Sequence, residues 1–420
     1  MQKKLTNKIL KKLFPITRSI TGSGFKKSLK ILKEYEKAIK TKKIKSGTRV
    51  FDWIVPYEWD FKNAYISHNG KRIIDTKNSN LHVLNFSTPV DKKINFSELK
   101  KKIHYIKKKP HAIPYKTSYY QKDWGFCVTY NQFKELKKIK DKLHVKIESK
   151  FKKGSLIYGE YYKKGKIDKE IIFSTYLCHP SMANNELSGP TVCLNLIKYL
   201  KTINTKYSYR ILFLPETIGA ISFLSKNFKK IKDKVICGFV VTCVGDKGKF
   251  SYIPSRYANT YADKIVKQNL KDYKTYSYLD RGSDERQFCS PLIDLPFCSV
   301  TRSKYREYPE YHTSLDDLNF IDYKSLKESF NLYKKCIKTI ESNSIPKSKI
   351  FCEPFLQKRK LYSKNRGEWI GNLSKNIIDY ISYSDGKNNL EHIAKILKIN
   401  KLTIKKITNL LVKEKIIDLY

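Results

Sequence analysis

Three apolar runs constrain this chain more than any other feature: Ile171 to Leu177, Tyr209 to Leu214 and Val235 to Val244. None alternates strictly between apolar and polar residues, so each suits a strand covered on both faces. Between them lie segments with helical spacing, Pro190 to about Leu200 and Ile218 to Phe228, and Leu143 to Phe151 and Ser155 to Tyr162 precede them as strands. This alternation predicts an α/β core built on a mostly parallel or mixed sheet with helices over it.

The first run carries more than fold information. Past Leu177 come His179, a polar loop from Ser181 to Glu186, and then Ser188-Gly189-Pro190. The last three residues predict a helix start, with a hydroxyl to cap and a proline in the first turn. A strand end, a loop bearing His, Asn and Glu, and a helix N-terminus together form the place where open α/β sheets bind ligands. The bland alternative is a β–α loop with an incidental histidine.

A chain of 420 residues allows two or three domains. No apolar run is long enough to span a membrane. The start, Met1-Gln-Lys-Lys, lacks the apolar stretch of a signal peptide, so the cytoplasm is the expected address. Nine cysteines without a Cys-x-x-Cys pair argue against a disulfide framework or a zinc knuckle. The net charge is +46, from 85 Lys plus Arg against 39 Asp plus Glu. The excess is mostly lysine spread along the whole chain, which fits solubility or attraction to acidic molecules better than base-specific nucleic-acid reading. A homo-oligomer is compatible with this composition.

Flanking segments add modules. Leu5, Ile9, Leu10 and Leu13, then Leu29, Ile31 and Leu32, recur at helical spacing, with a break from Pro15 to Gly24 where Thr21 or Ser23 could cap the second helix. Arg18 and Thr21 read first as turn residues, with a place at the site as the alternative. From Arg49 to Phe126 the pattern becomes short strands and turns. Val50 to Pro56 and Leu81 to Ser87 read as strands, and Ala64 to Ile74 as a hairpin turning at Asn69-Gly70. After the basic segment Lys358 to Lys364, three helices (Asn372 to Ile381, Leu390 to Leu397, Leu402 to Val412) and a terminal strand, Ile416 to Tyr420, fit a winged helix-turn-helix. Its third helix carries Lys405, Lys406 and Lys413 but no Arg, which favours a packing or partner module over a DNA reader. The expected division is a core from 1–48 and 127–357, a β-rich insertion from 49–126 and a winged helix from 358–420.

Four polar clusters fall at predicted strand ends: His179 with Asn185 and Glu186; Glu216; Asp284, Glu285 and Arg286; and His312 beside Tyr311. Two distant histidines and a carboxylate can hold zinc while leaving a position for water. Glu216 can then take a proton from that water as general base. Each member has a plainer role: Glu216 as a helix cap, Asp284 and Arg286 as an ion pair, His312 as a hydrogen-bonded loop residue.

The runs Cys178 to Gly189, Pro215 to Gly219, Ser283 to Gln287 and Glu307 to Ser314 resemble the bacterial aminopeptidase-like family. That family was long classed as a domain of unknown function and is often encoded among surface-polysaccharide genes. Leu13 to Gly22, Trp124 to Cys127 and the C-terminal winged helix fit the same resemblance, so it covers nearly the whole chain. It implies a three-layer α/β/α zinc-peptidase-like core related to aminopeptidases with two co-catalytic metals. It also implies a peptide-like or amide-bearing substrate. Carried over by motif, His179 and His312 fall on histidine ligands and Glu216 on the general base. Asn185 stands at the metal-bridging Asp, Thr217 at a ligand Glu, and Thr242 or Cys243 at the last ligand Asp. The resemblance therefore implies one zinc, held by His179, His312 and either Glu186 or Asn185. Asp284, Glu285, Arg286 and Tyr311 would line the substrate pocket. A binding scaffold that has lost catalysis, with a glycan, nucleotide sugar or protein as its ligand, is the competing function.

Overall fold

In the computed structural model, which describes residues 1–361 and 371–419, the three apolar runs become the middle of an eight-stranded mixed sheet. Its order is Lys40–Lys45, Ser155–Lys163, Ser208–Leu214, Glu170–Tyr176, Val235–Val240, Phe297–Thr301, Ser251–Ile253, Lys274–Thr275. The four strands from Ser208–Leu214 to Phe297–Thr301 are parallel, and the edges add antiparallel pairs. From Glu170–Tyr176 the chain passes first to the strand on one side and then to the strand on the other. The carboxyl end of that strand is thus a topological switch point, where α/β sheets open a crevice. Every residue of Glu170–Tyr176 is buried, as its unbroken apolar character requires.

Helices Lys3–Leu13, Ser23–Tyr35, Ser188–Lys201 and Ile218–Ile231 flank this sheet in sequence and bury their apolar stripes. Gly189 has a packing reason. A Cβ there would lie 2.2 Å from the Val241 carbonyl oxygen and 2.3 Å from Thr175 Oγ1, so only glycine lets the helix approach the strand ends. Ser188 is not the expected cap. A π-helical turn, Ala183–Leu187, leads straight into the helix, and the Ser188 hydroxyl donates to the Asn184 carbonyl. Neither Thr21 nor Ser23 caps the second helix; Gly22 stands at that position with φ 92°, and Thr21 donates to the Tyr57 carbonyl instead.

A second, four-stranded antiparallel sheet has the order Lys71–Asp75, Glu58–His68, Leu143–Lys152, Val90–Ile94. Its hairpin turns at Asn69-Gly70 with both residues at positive φ, as the sequence predicts. Leu143–Lys152 joins this sheet and Ser155–Lys163 the larger one, so the short Lys153-Gly154 connection links the two. Its separate core includes Ile66, Ile74, Phe126, Leu136, Val145 and Ile147. Two expected strands shrink. Val50 to Pro56 yields only the two-residue pair Arg49–Val50 and Trp53–Ile54, and Leu81 to Ser87 yields a 3₁₀ turn, Asn80–His82, followed by isolated bridges. In the second case Phe86 leaves the extended region at φ 72°, and side chains take the strand's carbonyls: Ser118 donates to those of Asn85 and Phe86, and Trp59 to that of Ser87.

The chain divides into two compact units, Met1–Lys334 and Lys335–Tyr420. The second contains helices Gly371–Ser382, Leu390–Leu397 and Lys401–Lys413, and a strand Ile417–Leu419 that pairs antiparallel with Pro346–Ser348. Ile377, Tyr380, Ile393, Ile407 and Leu411 form its core. Lys364 and Tyr420, included in the expected basic segment and last strand, lie outside the described residues. Among the described residues no helix is long and apolar enough to cross a membrane.

Candidate metal centre

The residues past Tyr176 are arranged by backbone bonds that the sequence gives little hint of. The π-helical turn buries Asn184, Asn185 and Glu186 completely. Asp316 braces it, accepting the N–H groups of Asn184 at 2.6 Å and Asn185 at 2.9 Å. Burial pushes the Asp316 carboxyl up to about 7. His312 sits at φ 53°, a conformation His tolerates better than most residues. Its carbonyl accepts the Tyr115 N–H, and Ser314 N–H bonds the Ile113 carbonyl. The segment around Tyr115 is therefore tied to the histidine loop across some two hundred residues of sequence.

His179 is the hub. Its Nδ1 lies 2.8 Å from Glu186 Oε2 and its Nε2 lies 3.5 Å from Glu216 Oε2. Burial disfavours the imidazolium, but the adjacent Glu186 carboxylate outweighs it and raises the His179 pKa. His312 moves the other way: burial, then the nearby His179, hold it well below the ordinary histidine value. Burial raises the Glu216 carboxyl against the opposing pull of His179 and Arg286. Asp284 is raised further, by burial and then by Glu216.

Two positions beside His179 could take a cation. On the Nδ1 side, donor atoms of Cys178, His179 and Glu186 lie within 4.8 Å of one another. Burial pushes the Cys178 thiol well above its ordinary value, so it stays protonated and is a poor ligand. Its sulfur also accepts the Glu216 N–H at 3.2 Å. Elsewhere around the histidine, His312 Nε2, Asn185 Oδ1 and both Glu186 oxygens are buried without a geometrically good hydrogen bond among the described residues, Glu186 Oε2 despite its 2.8 Å approach to His179 Nδ1. Such atoms are costly unless something satisfies them. The two imidazole centres are 5.3 Å apart. Two rings sharing one tetrahedral zinc, with Zn–N of about 2.0–2.1 Å, have centres roughly 5 Å apart. The two histidines thus have a spacing that fits one shared zinc.

A second ion finds less. Thr242 Oγ1 donates to the Asn185 carbonyl at 2.7 Å and lies 2.6 Å from the Tyr176 hydroxyl, so its hydroxyl is already engaged. Thr217, at φ 63°, gives its N–H to Asp284 Oδ1 at 2.7 Å, and its hydroxyl accepts from Arg286 at 3.0 Å. A guanidinium thus occupies the neighbourhood of Glu216 and Asp284.

Of the residues singled out from sequence, Glu186, Glu216 and His312 gather around His179, with Asp284 and Arg286 near Glu216, while the Asn185 side chain bonds the Tyr176 hydroxyl. Asp284, Glu285, Arg286 and Tyr311, expected to line the substrate pocket, are not among the residues lining the cavity above the histidines. Tyr311 stacks on the His312 ring at 4.0 Å. Glu285 faces away from this group: its carboxylate takes the N–H groups of Gly282 and Ser283 and the hydroxyls of Tyr305 and Ser299. Arg286 makes no ion pair with Asp284 among the described residues. Its guanidinium instead holds Thr217 and the Ser283 carbonyl. Sequence reasoning left out Tyr115, whose ring packs 4.9 Å from His179 and 5.1 Å from His312. It also favoured a turn role for Arg18, which is fully buried, donates to the His179 carbonyl at 2.9 Å and stands near Glu186. A cavity of about 450 Å³ opens over His179, Glu216 and His312, with Trp53, Lys116 and Tyr120 among its walls.

The family model described as a domain of unknown function (DUF4910) matches residues 7–343, and a winged helix-turn-helix model matches 344–419. A curated relative from Clostridium acetobutylicum, named as a candidate polysaccharide biosynthesis protein with an aminopeptidase-like domain, is 43% identical over 402 residues, spanning 92% of this chain and 89% of its own. A crystal structure of a candidate peptidase from the same organism superposes with a TM-score of 0.81 at 40% identity, over 99% of this chain and 96% of the other. A zinc aminopeptidase from Bacillus subtilis shares the fold at 13% identity, with a TM-score of 0.57 over 80% of this chain and 95% of that one.

Proposed function

The chain belongs to the DUF4910 family, and from the geometry of its site we propose that it is a single-zinc hydrolase of an amide or peptide-like bond. The observation that carries this reading is the pair His179 and His312, whose rings lie 5.3 Å apart with His312 Nε2 buried and unpartnered. His179 Nε2, His312 Nε2 and Asn185 Oδ1 would hold the ion. Of the two ligand candidates, Glu186 or Asn185, Glu186 would take another part. Its 2.8 Å contact with Nδ1 would orient the imidazole, the usual work of a carboxylate behind a ligating histidine. Zinc, when bound, supplies Lewis acidity and lowers the pKa of water.

The chain's own groups account for the rest. Water adds to the carbonyl carbon, the C–N bond breaks, and a carboxylate and an amine result. Glu216, 21% exposed at the cavity floor with a raised pKa, suits a group that takes the proton from water and returns it to the departing amine. Asp284, fully buried beside Glu216 and outside the cavity lining, braces the base by accepting the Thr217 N–H, and Arg286 partly offsets the rise that burial imposes on both carboxyls.

The test is metal analysis with turnover of an aminoacyl-amide panel. About one zinc per chain is expected, absent in H179A and H312A, with E216Q slower by about 10²–10⁴-fold. No zinc, or E216Q turning over like the parent, rejects the hydrolase. The second reading, a scaffold that binds without cleaving, draws on the neutral Asn185, Thr217 and Thr242; it predicts ligand-induced stabilisation with no turnover in any variant.

The relative's name supports a place in polysaccharide metabolism, and we place the protein in the cytoplasm. The division into a core, an insertion at 49–126 and a winged helix from 358 is kept as part of this proposal. The exposed lysines 401, 405, 406 and 413 support salt-labile contact with polyanions more than sequence reading.

A further inference from the structure

The floor of the cavity serves the chemistry above; its mouth is so far without a role. Trp53 and Tyr120 meet there edge to face, 5.2 Å between ring centres, and remain 38% and 49% exposed. The backbone that presents them is strained. Tyr120 sits at φ 65°, and Phe51, two residues before Trp53, sits at φ 57°. Left-handed backbone at a bulky residue is unfavourable and persists where something else is gained. Burial is not the gain, because the rings stay wet.

Behind them the wall is aromatic down to the histidines. Tyr115, packed on both imidazoles, has its hydroxyl 3.0 Å from that of Tyr119. Polar residues share the lining: Lys116 and Thr117, both exposed, while the Tyr119 hydroxyl is turned to that of Tyr115. A pocket for an aliphatic side chain would be dry and lined by alkyl groups. Here the aliphatic members, Ile20 and Ile218, are each only 2% exposed. Ring faces open to water with a hydroxyl and an amine in the same lining complement a pyranose, which has an apolar C–H face and a hydroxyl rim.

We propose that Trp53 and Tyr120 form a subsite for a sugar ring, so that the bond brought to the floor is an amide carried by an amino sugar or a peptide joined to one. The subsite rests on the hydrolase reading only for what happens below it; ring binding is read separately.

Full-length protein is titrated with the methyl glycoside of N-acetylglucosamine, following tryptophan emission and heat. Saturable binding is expected, weakened by about tenfold or more in W53A and in Y120A. Because both side chains are exposed, the melting temperature should move little, and the second variant guards against local damage in the first. Leucinamide, the probe of the apolar alternative, should bind with no dependence on Trp53. The subsite is overturned if the glycoside fails to bind, if both variants bind it like the parent, or if leucinamide rather than the glycoside depends on Trp53. If E216Q cleaves like the parent while W53A loses the glycoside, the hydrolase fails and the subsite stands.

Discussion

Replacing Glu186 with Gln separates a ligand from the residue behind a ligand. The two side chains are 0% and 5% exposed, and Glu186 Oε2 lies 2.8 Å from His179 Nδ1. Glutamine keeps the shape and can still accept the Nδ1 proton, but it removes the charge that raises the His179 pKa. Loss of a carboxylate behind a metal-ligating histidine costs about 10–100-fold in affinity, or about 1.4–2.7 kcal/mol. E186Q should therefore still take one zinc per chain, but 10–100-fold more weakly. Competition against a chromophoric chelator measures this directly, with H179A and H312A as the zero. Melting temperature is the wrong readout, since Arg18 stands near Glu186 and would lose its compensating charge in any variant. Parental affinity in E186Q would mean that the contact orients nothing. Loss as complete as in H179A would make Glu186 a ligand after all.

Other perturbations test other links. Asn185→Asp restores a carboxylate beside the unpartnered His312 Nε2; zinc affinity should rise by tenfold or more, with a lower melting temperature once chelator is added, because the metal-free site then buries an extra charge. Arg286→Met removes a cation that lowers the Glu216 pKa. The base works deprotonated, so the acid limb of kcat/KM should move to higher pH, and an unmoved limb would dissociate Arg286 from Glu216. Ile407→Ala empties a fully buried position in the winged-helix core; urea unfolding followed by hydrogen exchange should report a loss of about 2–4 kcal/mol confined to that unit.

What was legible in the sequence is what local pattern encodes. Unbroken apolar runs revealed the central strands, and the switch point past Tyr176 followed from their alternation with helices. His179 and Glu216 were legible because each follows a strand end, whereas Glu186 sits in the π-helical turn and His312 in a loop well past Phe297–Thr301, which the strand-end expectation did not foresee. The remainder depends on pairings between remote segments. Tyr115 reaches the histidines through a backbone bridge to residues 312–314, and no periodicity reports a bond of that span. Leu81 to Ser87 has strand composition, but Phe86 turns out of the extended region and the Ser118 and Trp59 side chains occupy the carbonyls a ladder would use. Glu285 reads as a pocket acid beside Asp284, yet four donors consume its carboxylate. Side-chain identity located the acids; only the fold decides which of them is left free.

The free acids also decide how many metals the site can hold. Glu186, Glu216, Asp284 and Glu285 are the carboxylates in electrostatic reach of one another around His179, and the Arg18 and Arg286 guanidiniums lie within their reach. Burial raises Glu216 and Asp284 towards their neutral forms, so at most two negative charges are left uncompensated. One divalent ion is enough to balance them even when all four are ionised. A second would leave a positive site in a buried, low-dielectric setting, where unbalanced charge costs several kcal/mol. Asn185, Thr217 and Thr242 add nothing to offset it. The neutral residues and the two arginines therefore act together: they make one zinc affordable and two prohibitive. A chain carrying Asn185→Asp and Arg286→Met together should bind more than one zinc by metal analysis. A stoichiometry that stays at one in that double variant would mean that geometry, not charge, sets the number.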